Sequence, residues 1–365
     1  MVRGTDVCAV FRAMSVGPAP HRSRISAEHP SAAHTDHRTS TGPTKVSSLW
    51  GQPNFSYPRQ CARENGEVTE LDLTVRWRTG ARLNARAPDP PIQVHRAAEN
   101  TVILRQSIGV HYEAPFIYLL FGNDRALLLD TGATSGVDTF PLRETVDALM
   151  NGWLARHPRV GYELVVAHSH AHGDHVAADG QFADRAFTRV VGHTAQAVAG
   201  FFGIHDWPRS VGHFDLGGRV LDVIPTPGHH ASAITLYDAK SGVLLSGDTV
   251  YPGRLYVEDF PAFEASLRTL CDFVDAHPVT SILGAHIEMS TTPRRDFPIG
   301  SRWHPNEAPL PLTVDQLRAI RDAAAAVADH PGAHRFAHFA LWNGPCRSAV
   351  RSERRRLLAF RVFGR

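Results

Sequence analysis

The sequence predicts a layered mixed α/β fold in which sheets are covered by helices. Three observations predict it. Short apolar strand candidates recur from about residue 96, stretches of helical periodicity interrupt them, and no internal repeat is visible. The first strands are "TVILRQSI", "APFIYLLF" and "RALLLD", the last running into the glycine turn "TGATSG". "PLRETVDALMNGWLARH" then takes up a helical period and ends before Pro158. Further strands follow at "YELVVAH", "TRVVG", "RVLDVIP", "AITLYD" and "VLLSGD". "PAFEASLRTLCDFVDAH" places Phe263, Leu267, Leu270, Cys271 and Val274 on one helix face. A third helix, "TVDQLRAIRDAAAAVADH", starts at Thr313 as N-cap and stops at "PGAH".

Composition sets the bounds. With 365 residues, 43% of them hydrophobic, the chain can fill a real core. Residues 1–45, rich in Pro, Ser, Thr, His and Arg without apolar period, read as a disordered tail. Residues 46–95 form an extension of ambiguous order: "ELDLTVRW" alternates like a strand, and "ARAPDPP" reads as a linker ending near Pro91. The main domain is expected over 96–345, with a basic, solvated tail over 346–365. Cys8, Cys61, Cys271 and Cys346 lie far apart with no CxxC pair, which indicates neither a disulfide framework nor a thiolate zinc site. No apolar run approaches the roughly 18 residues of a membrane span, and the N-terminus lacks a secretory apolar region. The expectation is a cytoplasmic protein with no membrane span, no nucleic-acid partner and an oligomeric state that the sequence does not set.

The chemistry concentrates in "HSHAHGDH", residues 168–175, directly after the apolar run "YELVVA". His170 and His172 are two apart, so in an extended or tightly turned segment they can point to one side, while Asp174 and His175 begin the next turn. Imidazole nitrogens and carboxylate oxygens at about 2.0 Å are ligands that zinc or iron accepts. Because the chain has 22 histidines, the octet alone also fits an ordinary surface loop. Three further positions weigh against that. His229 follows a Pro-Gly turn in "PTPGHH", and Asp248 in "LLSGDT" and His286 in "SILGAHIEM" each end an apolar strand. Side chains at strand ends can converge. His170, His172 and His229 can hold one ion, and Asp174, His175 and His286 a second, with Asp248 bridging.

In these residues the sequence resembles the metallo-β-lactamase superfamily, whose pattern is HxHxDH, a distant His, an Asp and a final His. All seven positions match: His170, His172, Asp174, His175, His229, Asp248 and His286. "LLLDTGAT" resembles the family's strand-turn motif, with Asp130 buttressing the site; Asp130 either hydrogen-bonds a ligand histidine from behind or simply stabilises its turn. The resemblance covers roughly residues 96–290 and implies a four-layer αββα sandwich with the metals at the ends of two sheets. Asp248 stands where class B β-lactamases carry Cys or Ser, and the 37 residues between Asp248 and His286 leave no room for the nuclease branch's inserted domain. His172 stands where flavodiiron proteins carry Glu. The glyoxalase II and lactonase-like hydrolases remain.

The resemblance thus implies a metal-dependent hydrolase whose metal-bridging hydroxide cleaves a carboxylic ester, thioester or lactone of a small molecule. Two divalent ions are expected, zinc first, with iron or manganese as alternatives. Asp174 would serve as ligand and as acid/base helper. Two alternatives stay open. One is a mononuclear iron persulfide dioxygenase. The other is a fold that has lost catalysis and only recognises a ligand or nucleic acid, against which the full ligand set counts. Tyr251, Tyr256 and His304 are candidate substrate contacts, with ordinary packing as the competing account of the tyrosines. His168 reads as a satisfied strand-end histidine, His193 precedes or caps a helix, and His230 is expected outside the ligand set.

Overall fold

The computed structural model describes residues 69–81, 89–344, 352–353 and 355–360. The expected tail over 1–45, residues 46–68 of the expected extension and much of the basic C-terminal segment lie outside them.

Two six-stranded sheets dominate the fold. The first takes β1 (Ile92–Ala98), β2 (Thr101–Gln106), β3 (Phe116–Phe121), β4 (Arg125–Leu129), β5 (Glu163–Ala167) and β6 (Thr188–Val190) in chain order. Its first four strands are antiparallel, and β4, β5 and β6 are parallel. The second sheet is built from β7 (Gly212–Asp215), β8 (Val220–Pro225), β9 (Ile234–Asp238), β10 (Val243–Gly247), β12 (Ser281–Gly284) and β13 (Pro311–Leu312), in the order β13-β12-β10-β9-β8-β7. Only β10 and β12 run parallel in it.

The period-two alternation of each strand sorts its residues between two layers. In β2, Ile103 enters the core shared by the two sheets, whereas Val102 and Leu104 pack beneath α1 (Leu142–Leu154) through Val146, Leu149 and Trp153. In β10, Val243 and Leu245 face the other sheet, and Leu244 faces α3 (Phe260–Ala276) and α4 (Val314–Val327). The layers are therefore α1, sheet, sheet, α3 with α4: the αββα sandwich that the sequence leads one to expect. A shorter helix, α2 (Ala195–Phe202), closes one side of the central core through Val198 and Phe202. Helix starts follow their caps: the Thr194, Asp259 and Thr313 side chains accept from the first turns of α2, α3 and α4. The burial of Phe263, Leu267, Leu270, Cys271 and Val274 matches the expected helix face.

Two expectations are corrected. The alternating "ELDLTVRW" segment is no sheet strand among its described residues. Its apolar side chains are satisfied by lying on the core, with Leu71, Leu73 and Val75 packed there and Trp77 edge-on to Phe116. The described residues of the C-terminal segment are not simply a solvated tail either, since Arg356 pairs with Asp296 at 2.9 Å and Arg335 with Glu353 at 3.0 Å. Asp296 also takes Arg254 and Arg335, and its buried carboxylate ties a third, three-stranded sheet to the domain. That sheet is β11 (Arg254–Val257), β15 (Ala340–Asn343) and β14 (Gly332–Arg335), with β11 and β15 parallel. No helix among the described residues is long and apolar enough to cross a membrane.

Candidate metal centre

Every candidate ligand follows the C-terminal end of a strand. β5 ends at Ala167 and leads into His170 and His172, after which one helical turn, Gly173–Val176, carries Asp174 and His175. β8 leads to His229, β10 to Asp248 and β12 to His286. Two glycines make this possible. Gly228 has φ +141°, and a Cβ there would lie 2.4 Å from the Phe263 backbone nitrogen. Gly247 has φ +52° with the Ser169 Cβ only 2.5 Å from where its own would be. A larger residue at either place would push a ligand-bearing turn away from its neighbour.

The seven residues come together in two adjoining groups. His170 Nε2, His172 Nδ1 and His229 Nε2 form a triangle with edges of 3.0, 2.9 and 3.1 Å. Asp174 Oδ2 lies 3.3 Å from His175 Nε2 and 3.2 Å from His286 Nε2, which are themselves 3.3 Å apart. Asp248 stands between the groups, with Oδ2 3.7 Å from His229 Nε2 and Oδ1 3.4 Å from His286 Nε2. A tetrahedral ion with Zn–N distances of about 2.0–2.1 Å has ligand-to-ligand edges of about 3.3 Å, so both groups are of the right size.

What lies behind the histidines fixes their tautomers. The outer nitrogens of His229 and His286 donate to the carbonyl oxygens of Tyr256 (2.7 Å) and Glu113 (2.9 Å). His175 Nδ1 donates to Asp130 Oδ2 at 2.9 Å, and His172 Nε2 donates to Glu258 Oε1 at 3.2 Å. Ser169 gives its hydroxyl proton to Asp130 Oδ2 (2.9 Å), so its oxygen accepts from His170 Nδ1 at 3.1 Å. In their neutral forms, all five rings then turn lone pairs inward. Lone pairs about 3 Å apart repel unless a cation lies among them. Asp248 Oδ1 adds a buried carboxylate oxygen with no hydrogen-bond partner, a costly arrangement without one. The donor set fits a pair of divalent cations.

Electrostatics separates the two groups. Burial pushes His229 down to about 4, and burial with three histidine neighbours holds His170 well below its ordinary value. These rings stay neutral and available as ligands. Around His175 and His286, burial also favours the neutral ring, but nearby carboxylates outweigh it: His175 is held well above the usual range and His286 is raised to about 9. Asp248 falls to about 2 because those histidines outweigh its own burial. Glu113, pushed up to about 8 by burial and by Asp174, places a second carboxyl beside that aspartate and accepts from Tyr112 Oη at 2.7 Å.

The other sequence candidates fare unevenly. Asp130 acts across to the histidine loop rather than within its own turn: Oδ1 accepts from the Ser169 amide and Oδ2 accepts from His175 Nδ1. Tyr251 is buried, its phenol donating to the Arg254 carbonyl and to Glu288, which corrects its assignment as a substrate contact in favour of packing. His304 is likewise turned into the protein, stacked on Phe297 at 4.1 Å and bonded to Glu307, which Arg105 grips with two hydrogen bonds. Only Tyr256 keeps partial exposure, with its phenol oxygen taking a hydrogen bond from Arg254 Nε at 2.9 Å. Sequence reasoning missed Ser169, Glu258, Glu113 and Tyr112. Only Ser169, inside the histidine octet, carried a signal in the sequence.

Comparison with known proteins agrees with this geometry. Residues 113–272 match the family model of the metallo-beta-lactamase superfamily. A hydroxyacylglutathione hydrolase of Rhizobium meliloti (strain 1021) is 30% identical over 45% of this chain and 64% of its own. One from Chelativorans sp. (strain BNC1) is 31% identical over 39% of this chain and 54% of its own. An acyl-coenzyme A thioesterase of Gallus gallus is 33% identical over 20% and 28% of the respective chains. The chain thus spans between about half and two thirds of the length of these two hydroxyacylglutathione hydrolases.

Proposed function

Because residues 113–272 are a metallo-β-lactamase superfamily domain, we propose that this protein is a dinuclear metal-dependent hydrolase of small acyl thioesters, with esters and lactones as chemically adjacent substrates. The observation that carries the proposal is the set of five inward-facing imidazole nitrogens with Asp174 and with Asp248 standing between the two groups. Two similar proteins are named for thioester cleavage, which favours that class over the others. His170, His172 and His229 would hold one cation, and Asp174, His175 and His286 the other, with Asp248 shared. Bound there, two divalent cations supply an activated water near neutral pH and polarise an acyl carbonyl.

The chain's own residues do the rest. Asp130 holds His175 through Nδ1 and, by way of Ser169, His170 through Nδ1, so one buried carboxylate sets rings in both groups. Asp174 presents Oδ2 to the centre and is held in its charged form by His175 and His286, despite its partial burial. It can take a proton at that oxygen and return it to the leaving thiolate. Tyr256 holds His229 through its backbone and offers a partly exposed ring beside Trp342, which can border the acyl group.

The test is a panel of acyl-glutathione and acyl-coenzyme A thioesters, aryl esters and lactones, run beside oxygen uptake on glutathione persulfide. The proposal expects thioester turnover that a chelator abolishes and zinc restores. Oxygen uptake on the persulfide, with iron in the protein and no thioester turnover, would overturn it.

A further inference from the structure

We infer that His168, Asp179 and His193 form a further divalent-cation site, separate from the seven-residue centre. The three converge from different segments. His168 follows β5, Asp179 opens a 3-10 turn (Asp179–Phe182), and His193 precedes the N-cap of α2. His168 Nε2 lies 2.8 Å from Asp179 Oδ1, and His193 Nε2 lies 2.8 Å from Asp179 Oδ2. The three donor atoms are all within 4.8 Å of one another, and the two rings stand edge to face, 4.8 Å between centroids.

Two imidazoles and one carboxylate are a ligand set that Zn²⁺, Fe²⁺, Co²⁺ and Mn²⁺ accept, with water completing the shell. Ligands at about 2.1 Å in an octahedral site stand about 3.0 Å apart, so each N–O contact needs to open by only about 0.2 Å, while the two ring nitrogens already lie within 4.8 Å of each other. The cation would take the place of the two N–H···O contacts, each neutral ring then presenting Nε2 to the ion and carrying its proton on Nδ1. Thr131 Oγ1 donates to Asp179 Oδ1 at 2.7 Å and holds the carboxylate toward both rings, as an outer hydrogen bond does for a metal ligand. Exposure is graded in the right sense. The His168 side chain is 4% exposed, Asp179 18% and His193 41%, giving an anchored inner ligand and an outer one open to solvent. Water ligands and a solvent-facing histidine make this site weaker than the seven-residue centre.

Cobalt(II) and zinc binding to the full chain, counted per folded chain by equilibrium dialysis and elemental analysis, tests the assignment. The difference between proteins is decisive rather than the total, because four of the 22 histidines lie within the first 45 residues and could bind weakly. His193→Ala is expected to bind one equivalent fewer than wild type, the weakest of the set. Asp179→Asn, which keeps an oxygen for Thr131 and His168, is expected to lose the same equivalent. Equal counts in all three proteins would show hydrogen bonding alone and overturn the site, and a loss in Asp179→Asn but not in His193→Ala would equally contradict the triad.

Discussion

His175 shows how much of the centre depends on contacts made away from the chemistry. Its Nε2 points inward because Nδ1 is committed to Asp130, and that same carboxylate reaches His170 through Ser169. Asp130→Ala should therefore weaken metal retention and turnover together by about 10–100-fold; metal content after dialysis measures it, and wild-type retention would contradict the account. The convergence of the seven candidate ligand positions was legible because their order and spacing are specific. Ser169 and Glu258 were not, since each acts through a side-chain direction that only tertiary packing decides, and neither was Glu113, whose backbone carbonyl meets His286 across 173 residues of chain. Tyr251 shows the converse error: it follows Asp248 closely in sequence, yet its ring turns into the core between Gly253 and Gly284.

Helices α1, α3 and α4 could be read from their apolar period, and the long central strands from their apolar runs. Strands β1, β7, β11, β13, β14 and β15 could not. Most of them have only two to four residues, too short for a period to emerge. The omission matters because β11 holds His229 through the Tyr256 carbonyl, while β15 pairs with β11 in register Tyr256 to Trp342. The Pro-Gly turn before His229 was visible, but not that α3 leaves no space there. Gly228→Ala meets that backbone and a φ of +141° at once. It is expected to cost about 1–3 kcal/mol in urea unfolding and to lower metal content in the protein that still folds. Unchanged stability and metal content would show that the turn adapts.

Buried ion pairs lock the outer parts of the whole molecule together. Arg254, Arg335 and Arg356 hold the Asp296 carboxyl well below the usual range, against its burial. Glu307 is likewise lowered by Arg105 and His304. A carboxyl whose folded-state pKa is depressed contributes stability above its unfolded value, near 4, and loses it as the pH falls toward the folded value. Urea midpoints should then hold between pH 7 and 5 and decline from about pH 4 downward; a midpoint unchanged at pH 3 would argue that these carboxylates do not stabilise the fold. The layered architecture was legible as a whole because alternation and helical period agreed along the chain, whereas the docking of Arg356 on Asp296 depends on the folded arrangement of segments 60 residues apart.

The two-cation centre is tested most directly by the number of tightly held metal ions per chain after dialysis against metal-free buffer, compared with Asp248→Ala. The structure predicts two in the wild type and fewer in the variant, because Asp248 stands within 3.7 Å of a histidine in one group and 3.4 Å of one in the other. A single ion in the wild type, unchanged by the substitution, would contradict a shared Asp248 and with it the dinuclear reading.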